Sequence, residues 1–209
     1  MAVPGEGGGF RVISLFFLHA QTRVRRAAPS LAEMMDAKPQ RLVKERARDA
    51  DAGALRRVGL QELRVVTVAA GVRAVLWPDD DHHRVHLGDP DNSVEAERIA
   101  DSAVLQLNEY FAGTRTTFDL PLDPIGTEFQ QAAWKVLRTI PHGRTMSYAE
   151  QARAMGDAKK ARAVGAANGR NPISIIVPCH RVVARSGALT GFAGGLSSKE
   201  WLLRHEAAR

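Results

Sequence analysis

The chain contains one cysteine, Cys179, and this limits the ways in which it can be stabilised. A single thiol forms no internal disulfide, and a zinc site built mainly from thiolates needs two or more of them. Stability must therefore come from a hydrophobic core, for which 209 residues with 44% hydrophobic content are sufficient. Cys179 itself is either inert packing, as lone cysteines usually are, or a reactive group.

Charge is unevenly distributed along the chain, whose net charge is +6. Residues 125–209 contain 13 Lys and Arg against 5 Asp and Glu, whereas residues 58–124 contain 5 against 12. A basic C-terminal segment favours a polyanion such as nucleic acid, although a solvated basic face explains the charge equally well. No apolar run approaches the roughly 18 residues of a membrane span, and no clean signal-peptide cleavage site is evident, so we expect no membrane partner.

Changes in composition divide the sequence into three segments. Residues 1–57 begin with a glycine-rich stretch and show weak helical periodicity, so we predict a basic extension that is flexible or lies outside the core fold. Residues 58–120 contain two short β-branched runs about a small turn, then a helix, and are predicted to form a small α/β domain. Ser93 is the N-cap candidate of this helix, Glu95 and Glu97 suit its first turn, apolar positions that include Tyr110 recur at helical spacing, and Gly113 ends it. Pro121 and Pro124 mark the linker that opens a second domain, residues 121–209.

The second domain is predicted to begin with three helices. Thr127 is a suitable N-cap for the first, and Ser147 with Glu150 three residues later forms a capping box for the second. Asp157 can cap the third, over residues 158–168. Two helices separated by a tight turn that contains glycine indicate a helix-turn-helix.

The third predicted helix is basic and yet almost smooth. Lys159, Lys160 and Arg162 are interspersed with small residues such as Ala161. Small side chains let the backbone approach another surface closely, and the long side chain of Arg162 would project from that face. A helix packed against its neighbour, with the basic side chains in solvent, is the ordinary alternative.

Cys179 follows an apolar run, residues 173–177, which predicts a buried strand that ends near the thiol. His180 and Arg181 come next, and prolines on either side of the run restrict the backbone. A thiol with such neighbours favours the thiolate, and hence nucleophilic chemistry.

Consecutive strand residues point to opposite faces, so a direct bond between Cys179 and the His180 ring is geometrically awkward. A bridging water is the simpler relay, and a carboxylate is then needed to orient the imidazole. Glu206, on the last predicted helix, is one of the few acids in this domain and is the candidate.

Several motifs within residues 125–209 occur in the order and at the spacing of a known family. The sequence resembles the O6-alkylguanine-DNA alkyltransferases, or methylated-DNA–protein-cysteine methyltransferases. The motifs are Pro178-Cys179-His180-Arg181-Val182, Gly126-Thr127-Glu128-Phe129-Gln130-Gln131 to Trp134, Ser147-Tyr148, Ala161-Arg162-Ala163-Val164-Gly165, Asn171-Pro172, and Gly194-Gly195 to Lys199-Glu200-Trp201-Leu202-Leu203. Residues 58–124 resemble that family in pattern only, and we place residues 1–57 in no family.

The resemblance implies an α/β protein of two domains, a small N-terminal ribonuclease-H-like domain and a C-terminal winged helix-turn-helix domain that carries the active-site cysteine. It implies direct, irreversible and stoichiometric transfer of the alkyl (methyl) group from O6-alkylguanine in flipped-out double-stranded DNA to Cys179, with O4-alkylthymine as a further candidate substrate. Such a single-turnover enzyme needs no cofactor and no metal. We expect a cytoplasmic monomer, associated with the nucleoid when bound to DNA, or a nuclear one in a eukaryote.

The resemblance also implies the catalytic residues. Cys179 would accept the alkyl group, and His180, a water and Glu206 would form the relay that activates it. Asn171 would brace the turn between the recognition helix and the active site. Tyr148 would donate to guanine N3 and offset the charge that builds up as the base leaves.

Two further sets of residues follow from the same resemblance. Arg162 would fill the gap left by the flipped nucleotide, because the alkylated base cannot be reached inside the duplex. The other DNA-binding residues implied are Ala161, Lys159, Lys160, Arg170, Thr127 and Gln130. The substrate-pocket residues implied are Val182, Phe192, Ala193, Gly194 and Lys199.

Departures from the family pattern leave alternatives open. Phe192 and Ala193 carry no aliphatic hydroxyl, so a role that needs one at either position is lost, and the N-terminal zinc cysteines of some relatives are missing. Three other functions remain for comparison: a non-reactive protein that binds alkylated DNA and flags lesions, a cysteine hydrolase that uses Cys179 and His180, and a helix-turn-helix regulator.

Overall fold

The computed structural model describes residues 13–15, 63–78 and 80–207, and its first part is an antiparallel sheet. Strands β2 (Leu63–Val68) and β3 (Gly71–Leu76) form the predicted hairpin. Strand β1 (Ile13–Leu15) pairs with the other edge of β2, which would otherwise present unpaired backbone groups. Three residues of the predicted extension 1–57 therefore belong to the sheet, and the rest of it lies outside the described residues.

Helix α1 (Val94–Ala112) packs on this sheet through one apolar face. Ser93 caps its N-terminus by accepting from the Ala96 amide, and Glu95 and Glu97 lie in the first turn, where the helix dipole favours acids. Gly113 ends the helix in the left-handed conformation, with φ of 75°. These start and stop signals are those that the sequence predicts.

In the described residues of the C-terminal part there are four α-helices and a short parallel pair of strands. The predicted capping boxes are present, formed by Thr127 with Gln130 and by Ser147 with Glu150. The third predicted helix begins as the 3-10 turn Ala158–Lys160 and continues as an α-helix. The elements are α2 (Glu128–Leu137), β4 (Met146–Ser147), α3 (Tyr148–Ala154), α4 (Ala161–Gly169), β5 (Val182–Val183) and α5 (Gly195–Ala207).

The strand predicted over residues 173–177 is wrong. This run is a series of turns, with a single bridge from Ile173 to Val75 of β3, and Ile175 has a left-handed φ of 72°. The Val177 amide donates back to the Ile173 carbonyl at 3.0 Å. The residues are apolar because the turn is buried, and burial does not require a strand.

Both parts of the chain contribute to one hydrophobic cluster. Val75 and Leu107 from the first part are fully buried with Leu137, Ile173 and Leu202 from the second. The linker is tied to β3, since the Val72 amide donates to the Pro121 carbonyl at 2.8 Å. No helix among the described residues is long and apolar enough to cross a membrane.

Candidate active site

Cys179 begins a 3-10 turn, Cys179–Arg181, that leads directly into β5. Strand β5 pairs in parallel with β4, which ends at the N-cap of α3. The thiol therefore lies between the buried turns 173–178 and the helical part of the C-terminal unit. It belongs to the main hydrophobic cluster, and only 7% of the residue is exposed.

Burial raises the pKa of the Cys179 thiol. The side chain of Asn171 opposes this by donating to Sγ at 3.2 Å, and the charges of Lys199 and Arg84 oppose it from farther away. The prediction that the neighbours His180 and Arg181 favour a thiolate is wrong, because burial dominates and the Arg181 guanidinium is directed to the carboxylate of Glu206 instead. The thiol is therefore protonated at neutral pH, and a nucleophilic role would require a base.

His180 lies in this turn, directly after Cys179, and can act as a base. It is completely buried, and its Nε2 lies 2.8 Å from Oε1 of Glu206. Because an ionised carboxylate only accepts, Nε2 carries the proton and Nδ1 is the free acceptor. Burial lowers the pKa of His180, which keeps it neutral, and Nδ1 has no hydrogen-bond partner among the described residues.

Glu206 is the acceptor at the centre of a buried network. Burial raises its pKa, but hydrogen bonds and charges from His180 and Arg181 outweigh burial and hold the pKa far below its usual range. Glu206 therefore stays ionised and orients His180, rather than taking a proton itself. Five donors reach its two oxygens: Nε2 of His180, Nε and Nη2 of Arg181, the hydroxyl of Tyr110 and the amide of Gly143.

The sequence identified Glu206 and missed three of its partners. The helical spacing predicts only an apolar position for Tyr110, yet its hydroxyl donates to Oε1 of Glu206 at 2.8 Å. Arg181 was placed beside the thiol, yet it binds both oxygens of Glu206. Gly143 donates through its backbone at 3.1 Å, which no side-chain pattern could reveal. A buried tyrosine normally finds a partner for its hydroxyl, and this was the available signal for Tyr110.

Asn171 connects the thiol to the turn that precedes it. Its Nδ2 donates to the Val177 carbonyl at 2.8 Å as well as to Sγ, and its Oδ1 accepts from the Ile173 amide at 3.1 Å. The residue is 1% exposed. One side chain thus holds both ends of the buried turn and contacts the reactive atom.

Lys199 ties β5 to the loop that precedes α5. Its Nζ donates to the carbonyls of Val182 at 2.6 Å and Thr190 at 2.8 Å. The Tyr148 hydroxyl also donates to the Thr190 carbonyl, at 3.3 Å. Burial lowers the pKa of Lys199, and the nearby Cys179 raises it. Tyr148, Val182 and Lys199 are therefore brought together on one side of the thiol.

The loop also carries the remaining predicted pocket residues. Phe192 and Ala193 are half-buried and pack on the cluster that contains Cys179. The Phe192 ring lies 6.4 Å from that of His180 and 5.5 Å from that of Trp77, centroid to centroid. Gly194 lies against the Trp77 ring so closely that a Cβ would overlap it. Trp77, the residue directly after β3, thus shapes the loop.

The predicted DNA-binding residues fall into two groups. Arg162, Lys159 and Lys160 are exposed on α4 and on the turn before it, and Ala161 is half-buried there. The other three, Thr127, Gln130 and Arg170, line a cleft of about 450 Å³ between the two parts of the chain, together with Arg84 and His86. Thr127 and Gln130 also form the capping box of α2, in which the backbone amide of each donates to the side-chain oxygen of the other.

No group of three or more His, Cys, Asp or Glu side chains in the described part of the chain could hold a metal ion. The acidic and histidine-rich residues 79–83 provide no such group where they are described.

Two family models match the chain in tandem. The ribonuclease-like domain of 6-O-methylguanine DNA methyltransferase matches residues 66–124, and the DNA binding domain of the same family matches residues 128–208. The chain belongs to the 6-O-methylguanine DNA methyltransferase family. The resemblance drawn from the motifs is confirmed, as is the division into an N-terminal and a C-terminal domain; the boundaries 58–120 and 121–209 stay predictions.

Individual relatives in this family are similar over most of their length. The chain is 50% identical over 141 residues to the methylated-DNA–protein-cysteine methyltransferase of Shigella flexneri, which covers 65% of this chain and 82% of the relative. It is 52% identical over 119 residues to the protein of the same name from Methanosarcina acetivorans, covering 57% of this chain and 76% of the relative. The crystal structure of Mycobacterium tuberculosis OGT in complex with DNA matches with a TM-score of 0.62 and 45% identity, over 71% of this chain and 88% of that chain.

Proposed function

We propose that this protein repairs DNA by transferring the alkyl group of O6-alkylguanine to Sγ of Cys179, once per molecule. The observation that carries the proposal is a buried thiol beside a neutral histidine whose partner is an ionised carboxylate, in a chain of the 6-O-methylguanine DNA methyltransferase family. Relatives that bear the name methylated-DNA–protein-cysteine methyltransferase support the same reaction.

The proposed transfer begins with deprotonation of the thiol. The proton of Cys179 passes through a bridging water to Nδ1 of His180, and the imidazolium that forms is stabilised by Glu206. Sγ then attacks the alkyl carbon, so that the S–C bond forms as the C–O6 bond breaks. The electron pair of that bond remains on the base, which takes up a proton and leaves as guanine.

We assign stabilisation of the departing base to groups around the thiol. Tyr148 would donate to guanine N3, and the half-buried loop at Phe192 and Ala193 would contact the base near O6. A thioether is not hydrolysed by water at neutral pH, so the alkylated protein is the end product. O4-alkylthymine is a second candidate substrate, because it offers the same alkyl–oxygen bond.

We assign DNA binding to a winged helix-turn-helix in which α4 is the recognition helix. The exposed Arg162 on this helix would occupy the space of the flipped nucleotide, and small neighbours would permit close approach to the minor groove. Arg170 in the cleft beside α2 would contact a phosphate. We propose that the protein acts as a monomer in the cytoplasm, or in the nucleus of a eukaryote.

The test is repair of a duplex oligonucleotide that contains one O6-methylguanine. Increasing amounts of protein are added and the remaining lesion is quantified by chromatography of the digested DNA. The proposal predicts one lesion lost per protein molecule and no loss with Cys179→Ser. Binding to the lesion without its loss would favour the lesion-flagging alternative, and catalytic turnover beyond one lesion per chain would contradict the proposal.

A further inference from the structure

Tyr110 links the N-terminal domain to the carboxylate of the active site. It lies on α1, it is completely buried, and its hydroxyl donates to Oε1 of Glu206 at 2.8 Å. Its ring packs edge-on to His142 and His205, with centroids 6.1 and 5.3 Å away. Nε2 of His205 in turn lies 2.8 Å from the carbonyl oxygen of Tyr110. The phenol is therefore held in place from both domains.

The hydroxyl shares its acceptor atom with the catalytic histidine. Oε1 of Glu206 accepts from Tyr110, from Nε2 of His180 and from Nη2 of Arg181, at 2.8, 2.8 and 2.9 Å. A carboxylate oxygen has two lone pairs, so three donors compete for it. Each of them reduces the negative charge that the other two experience.

We propose that Tyr110 is a positioning residue for alkyl transfer, which fixes Oε1 of Glu206 and limits the stabilisation that this oxygen gives to protonated His180. The inference rests on the proposed function, in which His180 must accept a proton. If Glu206 stabilised the imidazolium too strongly, His180 would already be protonated before the thiol reacts and could not accept its proton. The N-terminal domain thereby takes part in the chemistry as well as in packing.

The charged groups around His180 set the sign of the expected change. Burial and the cations Arg181 and Lys199 lower the pKa of His180, whereas the hydrogen bond and charge of Glu206 raise it. Removing the Tyr110 hydroxyl leaves Oε1 with two donors and strengthens the influence of Glu206. The pKa of His180 should then rise, so that less of the neutral form is present below neutral pH.

The first test is the pH dependence of single-turnover transfer in Tyr110→Phe. The acid limb of the profile should move to higher pH by about half a unit to one unit, because a hydrogen bond to a charged group shifts a pKa by about one to two units and its loss reaches His180 only through Glu206. The control is Phe111→Leu on the same helix, which loses ring contacts with Tyr110, Trp201 and His205 but leaves the hydrogen bond from the Tyr110 hydroxyl to Glu206. Its profile should keep the wild-type midpoint, whatever stability it loses.

The second test measures His180 directly and does not depend on transfer. The ring nitrogens are titrated by ¹⁵N NMR, with His180→Gln to assign the signals, and the midpoint should rise in Tyr110→Phe. In a Tyr148→Phe background Tyr110 is the remaining tyrosine of the chain, so 3-fluorotyrosine labelling makes this one hydroxyl a stronger donor. The midpoint should then fall.

The outcomes separate the inference from the proposed function. An unmoved His180 midpoint in both the phenylalanine and the fluorotyrosine proteins overturns the role of Tyr110, even if repair is intact. Shifts of opposite sign support that role, even if the wild-type protein transfers no alkyl group, in which case the proposed function alone fails. If Tyr110→Phe does not fold, the fluorotyrosine shift decides.

Discussion

Replacing Asn171 by alanine should weaken both the fold and the reactivity of the thiol. The Val177 carbonyl keeps its bond from the Cys179 amide, so losing the second donor costs about 1 kcal/mol. The Ile173 amide loses its one partner among the described residues and stays buried, which costs about 1–3 kcal/mol. The free energy of unfolding should therefore fall by about 2–4 kcal/mol, measured by urea denaturation.

The effect on the thiol is the more specific part of this prediction. Asn171 is the strongest of the influences that lower the pKa of Cys179, so its loss should raise that pKa further. The rate of modification by iodoacetamide should fall at neutral pH, and its midpoint should move to higher pH. Since Cys179 is the only cysteine of the chain, the rate reports on this residue alone.

Asn168→Ala is the matched control for Asn171→Ala. Asn168 is also buried in this domain, and its Nδ2 donates to Oε1 of Gln151 at 2.7 Å, away from the thiol. It should lose stability and keep the wild-type midpoint of thiol modification. Equal midpoints for all three proteins, or equal shifts in both variants, would refute the reasoning that Asn171 acts on the sulfur.

Three other changes test separate parts of the account. Arg162→Ala should slow repair in duplex DNA more than reaction with free O6-methylguanine, and equal losses on both substrates would refute a role in flipping. Gly194→Ala should lower stability by about 1–3 kcal/mol and slow transfer, because the new Cβ overlaps Trp77, while Gly169→Ala, where a Cβ meets nothing within 4 Å, should show no such overlap effect. The depressed pKa of Glu206 provides stability that is complete above its ordinary value of 4.5 and is lost as the pH falls below it, with a slope of about 1.4 kcal/mol per pH unit for one proton. If the urea concentration at the unfolding midpoint stayed constant as the pH was lowered below 4.5, the network around Glu206 would be contradicted.

Local sequence signals predicted most helix ends of this protein. Ser93, Thr127 and Ser147 cap the helices that they were expected to cap, because a capping side chain needs only the amides two or three residues later. The strand predicted over residues 173–177 is wrong because a run of apolar residues indicates burial but does not determine the backbone conformation. Its turns depend on Asn171 and on the left-handed Ile175, which no periodicity records.

The candidate site was predicted in part for a similar reason. Glu206 could be found because few acids are available in the C-terminal segment, and the structure brings it to His180. Tyr110 could not be found in this way, since it lies 96 residues from Glu206 in sequence and occupies an apolar helix position. The direction of Arg181 was equally hidden, because adjacency in sequence does not say which carboxylate a guanidinium reaches.

The transfer itself is tested most directly by mass spectrometry of the protein after reaction. The wild-type chain is incubated with a duplex that contains O6-methylguanine, digested, and the peptide that carries Cys179 is analysed. The account predicts that this peptide gains the mass of one methyl group, located at the cysteine. It also predicts that the moles of guanine restored in the DNA equal the moles of methylated peptide. Disappearance of the lesion with an unmodified Cys179 peptide, or a methyl group on any other residue, would contradict it.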